Sequence, residues 1–209
     1  MSVTATGTTT SATLRELIGL DPALPRLGAG TTVLLIDFQQ TYRTGVMELA
    51  GAEAALAAGA RLLAAARAAG SDVVHVVNDG GEGGPYDIRA EIGSISPEVA
   101  PRDGEPVVVK TVPNAFHATD LEQILRERGA GPDLVLAGFM THMCVTFTAQ
   151  GAFNLGYRPA VVAEATATRT LSAPDGTVVP AAVLQSASLA TIGDLFGVVA
   201  GTVADLQAR

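Results

Sequence analysis

Short, mostly apolar runs without strict alternation recur through this chain, and they leave few folds open to it. They occupy residues 32–37, 72–77, 106–110, 133–139 and 159–163, with a shorter one at 198–199. A strand with one wet face alternates apolar and polar residues; these runs do not, so they read as strands buried on both faces. Between them lie Ala/Leu-rich stretches of helical character at residues 53–69, 119–128, 143–155 and 181–191. Gly70, Gly129 and Gly156 mark helix ends, and Thr119 or Asp120 offers a cap. Strands alternating with helices predict an α/β fold, a doubly wound parallel sheet with helices on both faces. A short extra helix is expected over residues 14–20. Residues 1–12 are Thr/Ser-rich and read as a flexible tail, which leaves residues 13–209 as a single domain without repeats or linkers.

Composition removes several functions. A formal net charge of -8 gives no basic face for nucleic acid or anionic lipid. No apolar run is long enough to span a membrane, and the first residues lack the basic and apolar regions of a signal peptide. One cysteine permits no internal disulfide, which fits a reducing, cytoplasmic setting.

The reactive residues fall at equivalent places. Asp37 closes the first strand, Lys110 closes the third, and Cys144 follows the fourth. Ligands of open parallel sheets bind outside the carboxyl ends of the strands, near the switch in strand order. Cys144 also sits where a helix begins, so unpaired N–H groups and the helix dipole would ease loss of its proton. The plainer reading of a lone cysteine is a small buried hydrophobe. A carboxylate, an ammonium and a thiol delivered to one sheet edge favour chemistry instead. The segment 78–106 is long, Gly/Pro-rich and without periodicity, as lids and pocket walls often are.

From Thr32 to Val199 the chain resembles the isochorismatase-like cysteine hydrolases, a family that includes nicotinamidase and N-carbamoylsarcosine amidohydrolase. The residues carrying the resemblance are Leu-Leu-Ile-Asp37-Phe-Gln39, Val-Val-Lys110-Thr-Val-Pro-Asn114-Ala-Phe116 and Gly138-Phe-Met-Thr141-His-Met-Cys144-Val. Gly156-Tyr157, Val-Val-Ala-Glu164-Ala165 and Thr168-Arg169 continue it. The resemblance implies a three-layer fold around a six-stranded parallel sheet. It implies a catalytic triad of Asp37, Lys110 and Cys144. It also implies an oxyanion hole from the Met140 and Cys144 N–H groups, with a cis peptide between Phe139 and Met140. Asp37 would take the thiol proton, Lys110 would favour thiolate, and the sulfur would form a thioester that water hydrolyses. Tyr42 and His117 fall where the family edges its pocket, and Phe139 and Met143 flank the thiol in sequence. A surface role for Tyr42 stays open. The family further implies a homo-oligomer, a dimer or tetramer.

Departures from the family narrow the chemistry. Nicotinamidases carry an Asp and paired His residues after the second strand; here that stretch is Asn78-Asp79-Gly-Gly-Glu82-Gly-Gly-Pro-Tyr86, without histidine. Asp79 and Glu82 alone make a poor transition-metal site, so no metal and no cofactor are expected. True isochorismatases lack the cysteine, so Cys144 favours hydrolysis of a small amide or carbamoyl C–N bond. Ether hydrolysis of an isochorismate-like acid is the alternative, and a non-catalytic thiol redox sensor is a third reading. His75 lies within a strand and reads as structural. His142, beside the thiol, reads as structural or interfacial because Asp37 already supplies a base.

Overall fold

The alternation of strands and helices becomes one parallel sheet in the computed structural model, which describes residues 10–207. Its strands are β1 (Thr31–Ile36), β2 (Asp72–Asn78), β3 (Val107–Lys110), β4 (Asp133–Phe139), β5 (Arg158–Ala167) and β8 (Val198–Ala200). They lie in the order β3-β2-β1-β4-β5-β8, all parallel. From β1 the chain winds one way to β2 and β3, then crosses to β4 and winds the other way. The carboxyl ends of β1 and β4 are therefore the switch point.

Strand periodicity splits the core into two layers. Val33, Leu35, Val135 and Ala137 face the layer holding α2 (Ala52–Ala69), whose Leu56, Leu62 and Leu63 are buried there. Leu34, Ile36, Leu134 and Leu136 face the layer of α3 (Leu121–Glu127) and α4 (Thr146–Asn154), with Leu121, Leu125, Ala149 and Ala152. Each buried Leu contributes roughly 2 kcal/mol by removal from water. Gly59 on α2 is required by packing, since a Cβ there would lie 2.5 Å from the Phe38 ring.

Several elements differ from the sequence expectation. β3 is an edge strand, so it alternates: Val107 and Val109 are 44% and 46% exposed while Val108 and Lys110 are buried. The first helix, α1 (Leu14–Leu17), stops early, with a Thr13–Glu16 capping box at its start. The helix expected over 143–155 opens as one π-type turn, Thr141–Val145, before α4. β5 runs on to Ala167, past a register shift opposite Leu136 and Gly138. An antiparallel hairpin, β6 (Leu171–Ser172) with β7 (Val178–Val179), precedes α5 (Ala181–Thr191). Most of the expected N-terminal tail lies outside the described residues. No helix among the described residues is long and apolar enough to cross a membrane.

The 78–106 segment is laid against the start of the site rather than projecting from it. Gln40 N–H donates to the Ser94 carbonyl at 3.0 Å, and Ser96 N–H to the Phe38 carbonyl at 2.8 Å. The fully buried Gln39 amide ties the two segments together. Its nitrogen donates to the carbonyls of Asn78 and Gly93 at 3.0 and 2.7 Å, and its oxygen accepts the Asn78 N–H at 3.0 Å.

Candidate active site

Asp37 leaves the sheet through a left-handed backbone position, φ 52. Aspartate tolerates that region better than most residues, at a cost of about 1–3 kcal/mol. Its N–H donates to the Val76 carbonyl at 2.8 Å, and its carbonyl accepts the Gln39 N–H at 2.7 Å, closing a three-residue turn. On the other side of the switch point, Gly138 permits β4 to approach β1. A Cβ at this glycine, whose φ is 131, would stand 1.8 Å from the Ile36 carbonyl oxygen. Backbone geometry at two adjacent strand ends thus sets the spacing of the site.

Lys110 reaches over β2 from the sheet edge. Its Nζ lies 2.7 Å from Asp37 Oδ2 and donates to Cys144 Sγ and Asn78 Oδ1, both at 3.3 Å. The side chains of Lys110 and Asp37 are completely buried, and Cys144 is 7% exposed. The Asp37–Lys110 contact is an ion pair without hydrogen-bond alignment, and neither Asp37 oxygen accepts a hydrogen bond from the described residues. The carboxylate therefore keeps lone pairs for a proton.

Burial pushes the Asp37 pKa up, partly opposed by the Lys110 charge. Burial works against the Lys110 ammonium, but Asp37 and Cys144 outweigh it and hold its pKa above the ordinary lysine value. Burial, joined by the Asp37 charge and opposed by Lys110, pushes the Cys144 thiol up to about 12. This corrects the expectation of an easily ionised thiol: desolvation beside a carboxylate outweighs the nearby cation. The resting group is S–H, with the Lys110 ammonium 3.3 Å from its sulfur.

The Phe139–Met140 peptide is cis, as the resemblance implied. The Met140 carbonyl accepts the N–H groups of Met143 and Val145 at 3.0 and 3.2 Å, whereas the Met140 N–H has no acceptor among the described residues. Tyr42 and Phe139 are buried in an edge-to-face aromatic cluster with Phe38 and Tyr86, ring centroids 4.8 to 5.7 Å apart. Burial, with the Asp37 charge adding to it, holds the Tyr42 phenol protonated. Neither ring offers open surface to a ligand. His117 and Met143 instead line a groove of about 420 Å³ with Val112, Pro113, Asn114 and Phe147.

The other histidines have partners. His75 Nε2 lies 3.1 Å from Glu105, and His142 Nδ1 lies 2.5 Å from the Thr168 hydroxyl. Asp79 is gripped by both terminal nitrogens of Arg89, at 2.8 and 2.7 Å. No group of three or more metal-capable side chains gathers among the described residues.

Sequence reasoning missed three residues here. Gln39 stood in a motif without a role. Asn78 meets Lys110 from 32 residues away, a contact that only strand pairing creates. Arg169 has its Nε buried without an acceptor, pairs with no carboxylate among the described residues, and contacts the Met47 sulfur at 3.6 Å. Its charge reaches Tyr86 and His142 beside the thiol. A partly buried cation with no carboxylate partner gives no local pattern by which a sequence could announce it.

A doubly wound sheet that brings a carboxylate, an ammonium and a thiol together at its switch point defines a class of α/β hydrolases. Residues 31–202 match the isochorismatase domain, and the chain belongs to that family of hydrolases, which includes amidohydrolases. A crystal structure of an isochorismatase from Pseudomonas putida superposes with a TM-score of 0.89 at 38% identity, covering 94% of this chain and 100% of that one. A secreted isochorismatase effector of Verticillium dahliae is 32% identical over 88% of this chain and 93% of its own length. Maleamate amidohydrolase of Pseudomonas putida is 34% identical over 66% of this chain and 74% of its own.

Proposed function

We propose that this protein hydrolyses the C–N bond of a small amide or carbamoyl compound through a thioester on Cys144, without a metal. The observation that carries this reading is the Lys110 ammonium, 2.7 Å from the Asp37 carboxylate and 3.3 Å from the Cys144 sulfur. Because the thiol rests protonated, attack and proton transfer belong together. Asp37 removes the S–H proton as the sulfur adds to the carbonyl carbon, and Lys110 steadies the charge on sulfur. The N–H groups of Met140 and Cys144 receive the oxyanion. Collapse breaks the C–N bond, and the proton on Asp37 passes to the leaving nitrogen. Water, deprotonated by Asp37, then cleaves the thioester and regenerates the thiol.

The unpaired Arg169 supports a substrate bearing a negative group, since a guanidinium binds a carboxylate through paired, charge-assisted hydrogen bonds. Relatives such as maleamate amidohydrolase agree with an acidic amide. The test is ammonia release from a panel of small amides with and without a carboxylate. Turnover concentrated among the acidic amides is the expected result. Pyruvate from isochorismate with no ammonia from any amide would overturn the reading.

A further inference from the structure

Lys110 begins on the edge strand and must cross β2 to reach Asp37 and Cys144. Asn78 stands at that crossing. It is the last residue of β2, registered against Lys110 in the β2–β3 ladder. Its side-chain oxygen accepts an ammonium N–H at 3.3 Å and the Cys144 sulfur accepts another at 3.3 Å, while Asp37 lies 2.7 Å away as the ion-pair partner. The Asn78 backbone cannot drift, because both its N–H and its carbonyl are bonded to the buried Gln39 amide. The same amide nitrogen bonds the Gly93 carbonyl, so the 78–106 segment is fixed to this post as well. The groups that bear electrostatically on Lys110 are Asp37 and Cys144.

We infer that Asn78, clamped by Gln39, is the positioning residue that aims the Lys110 ammonium at the pair Asp37 and Cys144. This rests on the proposed role of Cys144 as nucleophile. An amide oxygen suits the task because it accepts a hydrogen bond yet brings no charge and takes up no proton at working pH. A carboxylate there would compete with Asp37 for the cation and add negative charge near the sulfur. An aliphatic group would leave one buried ammonium N–H without a partner and favour the neutral amine.

Two near-isosteric variants, Asn78→Asp and Asn78→Leu, separate these effects when iodoacetamide alkylation of Cys144 is followed across pH 6 to 10 by mass spectrometry. This readout needs no substrate. We expect Asn78→Asp to alkylate about tenfold more slowly than wild type at neutral pH, its profile displaced upward by about one unit. We expect Asn78→Leu to lose rate mainly at the alkaline end, where its lysine has discharged. Melting temperature shows that each variant is folded, and if one fails to fold the other carries the test. Wild-type alkylation that never inactivates the enzyme would sink the nucleophile reading itself. Wild-type inactivation with superimposable pH profiles in folded variants would overturn the role of Asn78 alone.

Discussion

The strand β3 is flanked by two charge clusters, one partly buried at its start and one fully buried at its end, and they are built on opposite rules. At its start, Glu105 is fully engaged. It accepts two guanidinium bonds from Arg67 at 2.8 and 2.7 Å, the Arg102 N–H at 2.9 Å, and His75 at 3.1 Å. Burial raises the Glu105 pKa, yet these bonds outweigh it and hold the carboxyl at about 2. At the other end, Asp37 has one cation and no aligned hydrogen bond, and burial raises its pKa. On the proposed mechanism, the difference separates a charge kept for structure from one kept for chemistry. Saturating a carboxylate with donors makes it inert; starving it in a dry site leaves it basic.

Cys144→Ala attacks the starved cluster at its reacting atom, and it should lower ammonia release by at least about 10⁴-fold with the fold intact. Substantial turnover in that variant would remove the thioester mechanism. Next comes Asp37→Asn, expected to lower kcat by about 10³-fold. It should also destabilise, because Lys110 is left as a buried, unpaired cation. Pairing it with Lys110→Met should restore the melting temperature or raise it while activity stays lost, since buried ion pairs often contribute little net stability. A double variant less stable than Asp37→Asn alone would show that the site charges hold the fold, and the contrast would fail.

Glu105→Gln probes the saturated cluster and should do the reverse: full activity per folded molecule, with stability lower by about 2–3 kcal/mol at neutral pH. The sign follows from a depressed acid. The Glu105 contribution is present above the unfolded carboxyl value of about 4.5 and is lost as pH falls toward about 2. Urea melts should therefore show wild type and variant converging over that window. A constant gap would assign the loss to packing instead. Arg169→Ala should raise KM for acidic amides about 10- to 100-fold with a smaller change in kcat, and leave neutral amides alone. The smallest expected effect is none: prolonged EDTA should leave the rate unchanged, and a chelator-sensitive rate restored by zinc would show metal chemistry at the site.

Much of this architecture could be read from the chain. β1, β2 and β4 are mostly apolar because central strands of a parallel sheet have no wet face, and α2 is closed by Gly70. The positions of Asp37, Lys110 and Cys144 at strand ends were legible for the same reason. What escaped was set by tertiary context. The half-exposure of β3 follows from its place at the sheet edge, which apolar content alone does not reveal. The extension of β5 depends on a register shift against β4. The raised thiol pKa came from burial and from a carboxylate far away in sequence, and both overrode the helix-start argument. Asn78 and Arg169 gained meaning only from what surrounds them.

That edge position of β3 bears on how the enzyme would fail. Two residues of the proposed triad stand at central strands, but Lys110 is carried by a four-residue strand with a neighbour on one side only. Edge strands open locally at free energies well below that of global unfolding. Each such fraying withdraws the ammonium while the remaining sheet keeps its shape. Heat should then extinguish activity reversibly several degrees before the main melting transition, and amide hydrogens of residues 107–110 should exchange earlier than those of β1 and β4. On the proposed triad, durability of catalysis would be governed by the weakest strand, not by the core.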